Sequence, residues 1–557
     1  MDTELRAAID AWRADDPDPA TVAALDAMVA AADEAALEAA FAAPLAFGTA
    51  GLRGPLGPGP GRMNRAVVRR AAAGLCRWLD DQGWEGPVVV ARDARHGSAD
   101  FARDTAAVVA GAGRSVVLAD RPLPTPLLAF AVRHLGGAAG VMVTASHNPP
   151  ADNGYKVYAG DGAQIVAPWD REIAAHMAAI ERVSDLPLAP LDDARIAELG
   201  DDVVDAYVEG VAGLRTSHAP VDLRVAYTPM HGVGLEVLQA AFARAGLAPP
   251  AVVEAQAHPD PDFPTVAFPN PEEPGAMDLL LASAEEHGAD LAIANDPDAD
   301  RLALAVPGPR GGATTWRVLT GDEIGLLLAD HLLRHSEGAD RLLVTTVVSS
   351  SALAALAAHH DVQFVETLTG FKWLARAAMA RPDLRPVLGY EEALGYSVGS
   401  LVRDKDGISA AVVAVEAVAG LLAERSSVAQ RLAELAVDLG LHRTRQRSLR
   451  FEGLDGAPRM AAAVDRIRTD PPEVLGGFDV VGVEDLALGQ RLPPTDGVVL
   501  RGDGMRVVVR PSGTEPKLKL YVEVVRLVDA VDDVGAETDI ADERIDAVLA
   551  DLEARLA

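Results

Sequence analysis

What most constrains this chain is a recurring pair. A short apolar run ends in a polar, Gly- or Pro-marked loop, and a longer stretch with helical spacing follows. The apolar runs at 87–91, 115–118, 138–143, 223–227, 291–294, 342–348 and 386–388 read as strands. The stretches at 64–82, 98–111, 169–183, 201–214, 235–245 and 408–424 read as helices. This alternation predicts an α/β protein with helices on the faces of largely parallel or mixed sheets. In such folds chemistry gathers at the loops that leave the strands. The chain has 557 residues, too many for one core. Three α/β domains are expected, at 1–215, 216–319 and 320–445, then a smaller C-terminal α+β domain at 446–557. Residues before about 45 read as helices broken at Asp15-Asp16-Pro17-Asp18-Pro19, and a terminal helix is expected over 541–556.

Charge narrows the function. The formal net charge is -32, which argues against nucleic acid or an anionic membrane as partner. An anionic small molecule then needs local cations. Only five of the 50 basic residues are lysines: Lys156, Lys372, Lys405, Lys517 and Lys519. All five sit in stretches that read as loops or strand starts, where a compact point charge does what a guanidinium does not. The single cysteine, Cys76, excludes an intrachain disulfide and lies in an Ala-rich helical pattern. The acidic start and the lack of a long uncharged apolar run lead to an expected cytoplasmic location.

The strand at 138–143 runs into Thr144-Ala145-Ser146-His147-Asn148-Pro149-Pro150, which places the Ser146 hydroxyl on a stiff turn. His147 beside it raises a serine-hydrolase reading, but no Gly-x-Ser-x-Gly elbow is present. After the strand at 291–294 comes Asp296-Pro297-Asp298-Ala299-Asp300-Arg301. Three carboxylates at alternate positions, with no His or Cys, suit a hard cation such as Mg²⁺. Phe47-Gly48-Thr49-Ala50-Gly51-Leu52-Arg53-Gly54 presents a cation from a closely bending backbone. Arg510-Pro511-Ser512-Gly513-Thr514 offers a guanidinium, hydroxyls and free N–H groups to a phosphate. Lys517 and Lys519 share one face of the strand that follows. Glu391 and Glu392 are sugar-hydroxyl acceptors or exposed acids. Thr369-Gly370-Phe371-Lys372 and Arg403-Asp404-Lys405 are weaker signals.

Taken in order, five of these loops resemble the α-D-phosphohexomutase superfamily of phosphoglucomutases and phosphomannomutases. They are Gly48 to Gly54, Thr144 to Pro150, Asp296 to Arg301, Gly389 to Gly395 and Arg510 to Thr514. The resemblance implies four domains around a central cleft, each supplying one loop. It implies a phosphoserine at Ser146 and Mg²⁺ held by Ser146, Asp296, Asp298 and Asp300, with Arg301 and Arg53 near the transferring group. Lys156 is the expected proton carrier, with Lys372 or His147 as alternates; a lysine in that role needs a lowered pKa. Thr49, Thr369, Gly370, Glu391, Arg403, Lys405, Arg510, Ser512, Gly513, Thr514 and Lys519 are the implied substrate contacts. The expected activity interconverts the 1- and 6-phosphates of glucose or mannose through a sugar 1,6-bisphosphate, in a monomer or homodimer. Alternatives are a phosphopentomutase, a bisphosphate synthase, a phosphatase, or a sugar-phosphate sensor without catalysis. The loop Gly389-Tyr390-Glu391-Glu392-Ala393-Leu394-Gly395-Tyr396 is similar to the phosphoglucomutase 2-like branch, which includes phosphopentomutases. Ala393 stands where better-known phosphoglucomutases have Ser.

Overall fold

The computed structural model of the chain describes residues 2–48, 51–217, 221–308, 316–451, 455–512 and 517–556. Thr49, Gly513 and Thr514 lie outside the described residues. The chain packs as two compact units, Met1–Leu319 with Gly395–Glu416, and Thr320–Leu394 with Ala417–Ala557.

The first unit holds two sheets. One has the strand order Leu52–Pro55, Asp152–Ala159, Ala139–Val143, Val88–Arg92, Val116–Leu118, Ile196–Glu198. The last four run parallel, and the first two are antiparallel additions at the edge. Val88–Arg92 and Ala139–Val143 are buried on both faces, which accounts for their unbroken apolar letters. Helix Arg65–Gln82 starts on Asn64, whose side chain accepts the Val67 N–H; such a cap contributes about 1 kcal/mol. Cys76 is buried in this helix, and burial pushes its thiol up to about 12, so it is a core residue and not a nucleophile.

The second sheet is ordered Trp316–Val318, Ala303–Pro307, Leu291–Ala294, Val225–Thr228, Ala251–Val252. Leu291–Ala294 is parallel to Val225–Thr228 and antiparallel to Ala303–Pro307. The three-Asp loop therefore joins antiparallel neighbours at one end of the sheet. Two glycines let backbone close in on it. A Cβ on Gly232 would stand 2.3 Å from Pro297 Cα, and one on Gly407 would stand 2.2 Å from the Arg301 carbonyl oxygen.

In the second unit Gln363–Thr367, Arg341–Thr346 and Arg385–Glu391 pair in parallel in that spatial order. The remaining sheet is ordered Leu441–Arg450, Lys517–Arg526, Met505–Pro511, Val498–Gly502, Phe478–Asp485, Val474–Leu475, and all its pairs are antiparallel. The α/β series followed by a C-terminal α+β sheet matches the expected fold class.

Three expectations need correction. The helix expected over 169–183 stops at Ala178, because the Asp15 carboxylate takes the Val183 and Ser184 N–H groups into a separate turn. The terminal helix starts earlier, as Val534–Leu556; acids at its start suit the helix dipole and Glu537 pairs with Arg526. Lys372 is not in a loop. It lies in the first turn of helix Phe371–Met379, which buries Phe371, Leu374 and Ala375 on one face.

Candidate active site

Ser146 leaves the end of strand Ala139–Val143 with φ 54, a left-handed conformation that a serine adopts at a cost of about 1–3 kcal/mol. The Thr144 hydroxyl helps hold it there by accepting the Ser146 N–H at 2.8 Å. The strained turn aims the Ser146 hydroxyl at the three-Asp loop, and Oγ donates to Asp296 Oδ2 at 2.8 Å. His147 Nδ1 is 3.0 Å from the same Oγ. Burial, then Arg301 and Arg53, hold the His147 imidazole well below its ordinary range, so the ring is neutral.

Asp296, Asp298 and Asp300 are 0% exposed. Each offers an oxygen within 4.8 Å of the others. Asp298 and Asp300 divide their oxygens by function. Asp298 Oδ2 accepts from Lys156 Nζ at 2.7 Å and from Thr125 Oγ1 at 2.6 Å. Asp300 Oδ2 accepts from Lys156 Nζ at 2.9 Å and Lys405 Nζ at 2.5 Å. Asp298 Oδ1 and Asp300 Oδ1 are buried without a hydrogen-bond partner. Buried carboxylate oxygens are rarely left bare. Two bare oxygens beside the Ser146–Asp296 pair, all hard donors, fit a divalent cation of the Mg²⁺ kind.

The charges follow the same division. Burial, then Asp298 and Asp300, raise Asp296 well above the carboxylate range. Burial also pushes Asp300 up, but Lys156, Lys405 and Arg301 overcome it and hold it low. Burial opposes the Lys156 charge, and Asp298 and Asp300 overcome that, so Lys156 sits above the ordinary lysine range. This is the opposite of the lowered value a proton-carrying lysine needs.

The flanking arginines are oriented too. Arg53 donates to Asn148 Oδ1 at 2.9 Å and so bears on the serine loop. The Arg301 N–H binds Asp296 Oδ1 at 3.0 Å, and its side chain reaches Glu272 at 2.9 Å. Arg403 donates to the Asp161 carbonyl at 3.1 Å. Ser146, His147, Lys156, Arg53, the three aspartates, Arg301 and Lys405 thus form one cluster inside the first unit.

The other expected residues belong to the second unit. Glu391 Oε1 accepts the Gly370 N–H at 2.6 Å, which ties the sugar-loop candidate to the segment holding Thr369. Arg510 faces Lys519 across two antiparallel strands, so the two cations share a face. The Ser512 N–H binds the Lys517 carbonyl at 2.7 Å.

Sequence reasoning missed several supporting residues. Thr125 opens helix Thr125–His134 and reaches Asp298 across 173 positions. Ser349 donates to Glu392 Oε2 at 3.0 Å. Arg95 underlies the serine loop. Asp93-Ala94-Arg95 follows strand Val88–Arg92 much as Ser146 follows its own strand, and polar residues just past a parallel strand were the available signal.

Comparison with known proteins identifies the family. Four segments match the phosphoglucomutase/phosphomannomutase family: alpha/beta/alpha domain I at 44–184, domain II at 205–311, domain III at 320–438 and the C-terminal domain at 461–541. A Haemophilus influenzae protein named "probable phosphomannomutase" is 43% identical over 83% of this chain and 93% of its own. Mouse phosphopentomutase is 35% identical over 94% of this chain and 91% of its own. The crystal structure of a phosphoglucomutase/phosphomannomutase family protein from Burkholderia thailandensis superposes with a TM-score of 0.68 at 20% identity, over 92% of this chain and 97% of that one. The chain belongs to the phosphoglucomutase/phosphomannomutase family, and is an isomerase of the phosphomutase type. Among the described residues no single helix is long and apolar enough to cross a membrane.

Proposed function

We propose that this protein interconverts the 1- and 6-phosphates of an aldohexose, glucose or mannose, with Ser146 as phosphate carrier and a sugar 1,6-bisphosphate as intermediate. The observation that carries the reading is the Ser146 hydroxyl seated 2.8 Å from Asp296, beside two buried carboxylates that each keep one bare oxygen. Asp296, Asp298 and Asp300, with Ser146, would hold Mg²⁺, which when bound supplies Lewis-acid neutralisation of charge on the phosphoryl group.

The protein's own groups account for the rest. In the first transfer the sugar hydroxyl oxygen bonds to the phosphorus on Ser146, and the bond from phosphorus to Oγ breaks. The proton lost by the sugar hydroxyl is matched by the one Oγ gains, so the step is proton-neutral overall. His147 Nδ1, neutral and 3.0 Å from Oγ, is placed as hydrogen-bond partner of the hydroxyl that re-forms there. Lys156, locked by two carboxylates, serves as a fixed cation. The bisphosphate then turns, and Ser146 takes the other phosphoryl group by the reverse step. Arg510, Ser512 and Lys519 hold the phosphate that is not reacting, with Gly513 and Thr514 beside them in sequence. Glu391 orients the sugar. The segments 1–215, 216–319, 320–445 and 446–557 each carry one of these loops.

A pentose phosphate is the second reading. Two observations favour it: Ala393 removes a hydroxyl from the sugar loop, and the mouse phosphopentomutase aligns with 94% of this chain. Turnover of glucose 1-phosphate, mannose 1-phosphate and ribose 1-phosphate, with and without the matching bisphosphate, separates the readings. A kcat/KM at least tenfold higher for ribose 1-phosphate overturns hexose preference. Inorganic phosphate as the main product overturns the mutase. Ser146→Ala is expected to lose at least about 10³-fold in turnover; near-normal turnover overturns the carrier.

A further inference from the structure

We infer that Arg95 is a positioning residue for phosphoryl transfer, the post around which the serine loop is wound. Its side chain is 1% exposed and, among the described residues, makes no hydrogen bond to Ser146 Oγ or the three aspartates. Instead it gathers backbone carbonyls. Nη2 donates to the Ser146 carbonyl at 2.7 Å and the Asn148 carbonyl at 2.5 Å. Nη1 donates to the Pro149 carbonyl at 2.8 Å and the Asp152 carbonyl at 3.2 Å. Four carbonyl dipoles converging in a tight loop repel one another unless a cation meets them. A planar guanidinium with donors in a fixed fork meets all four, which a lysine does not.

The consequence for the reaction is directional. With its carbonyl turned inward to Arg95, Ser146 keeps φ 54 and sends Oγ the other way, toward Asp296. A dianionic phosphate on Oγ is then turned away from those carbonyl dipoles. The post is itself fixed. Asp93, 1% exposed, lies 3.4 Å from Arg95 Nε and accepts the Arg95 N–H at 3.0 Å and the Ser98 hydroxyl at 2.6 Å. The Phe263 ring, from the segment that precedes the metal loop, lies 4.8 Å from the guanidinium carbon. Phe263 also has a left-handed φ of 45, so its backbone is bent to present that ring. Arg95 thereby joins the segment bearing Ser146 to the one bearing the aspartates.

This rests on Ser146 being the phosphate carrier, so the test reads both. Full-length wild type, Arg95→Lys and Phe263→Leu are mixed with glucose 1,6-bisphosphate and Mg²⁺, and phosphate on Ser146 is followed by quenched-flow mass spectrometry. Steady-state kcat and KM for glucose 1-phosphate and thermal midpoints are measured alongside. Arg95→Lys is expected to slow phosphorylation of Ser146 and kcat by about 100-fold, since a displacement of about 1 Å costs that much, with KM within about threefold. Phe263→Leu is expected to slow both by about fivefold and remains informative if Arg95→Lys does not fold. A purely structural role lowers the thermal midpoint but leaves kcat, measured well below it, unchanged. That outcome in either folded variant overturns the inference. Wild type that takes no phosphate onto Ser146 overturns the carrier reading and the role of the post with it. Wild type that takes phosphate, with variants equally fast, overturns the post alone.

Discussion

The two units solve different physical problems with the same residue types. In the first, the candidate site's charges are buried: Asp298 and Asp300, 0% exposed, lean on Lys156 and Lys405, and Asp296 accepts the Arg301 N–H. In the second, Arg510 and Lys519 stand half-buried on an antiparallel strand pair. Buried, paired charges cannot rearrange without large cost, which suits the phosphate carrier proposed for Ser146. Half-exposed charges keep their hydration and adjust at small cost, which suits the phosphate grip proposed for Arg510 and Lys519.

The comparison breaks most visibly in stability. Lys156→Met leaves Asp298 and Asp300 with one fewer cation in a buried site. Removing one partner of a buried pair costs about 3–5 kcal/mol. Lys519→Met, on the half-exposed face, is expected to cost within about 1 kcal/mol. Urea unfolding with EDTA present measures both. Equal losses from the two changes would remove the distinction between the units.

This distinction was only partly legible in the letters. Asp296, Asp298 and Asp300 could be read as a candidate metal site because three carboxylates at alternate positions, with no His or Cys, suit a hard cation. Ser146 could be read because two prolines and an apolar strand define its turn. The fold class could be read because strands buried on both faces spell unbroken apolar runs. The matching could not. Lys156 and Asp300 are 144 positions apart, and nothing local shows that Lys156 is held charged. Thr125 and Arg95 act through contacts that exist only after the sheets assemble. Gly370 before Lys372 reads as a loop signal, but a glycine before a helix marks its start as readily as a turn. The assembly of five separate loops into one function came from family resemblance, since no single loop implies the others.

A second prediction sharpens the recognition side. Arg510→Ala removes a guanidinium that in the proposed reading binds a phosphate in both orientations of the substrate. Uniform binding of that kind raises KM and spares kcat. KM for glucose 1-phosphate is expected to rise about 10- to 100-fold, the worth of a charged hydrogen bond, with kcat within about threefold. A kcat loss equal to that of an active-site change would place Arg510 in the transfer step instead.

Glu392 carries the smallest expected effect. Burial, then the neighbouring Glu391 and Asp322, push its carboxyl up to about 7, while the Ser349 hydroxyl, 3.0 Å away, favours the charged form and only partly offsets them. The unfolded chain has this group near its ordinary value of about 4.5. Between those values the folded protein binds more protons at Glu392 than the unfolded one, so the slope of stability against pH is negative. The contribution is fully present below about 4.5 and is lost as pH rises through about 7. Glu392→Gln keeps the shape, removes the titration and the repulsion with Glu391, and is expected to flatten that part of the stability profile. It also raises stability at pH 8 relative to wild type. Parallel urea unfolding at pH 5, 6, 7 and 8 reads the difference between the two proteins, in which other titrating groups cancel. A constant difference across that range would show that Glu392 is ionised in the folded protein throughout, and that the sugar loop carries its negative charges as openly as the phosphate loop carries its positive ones.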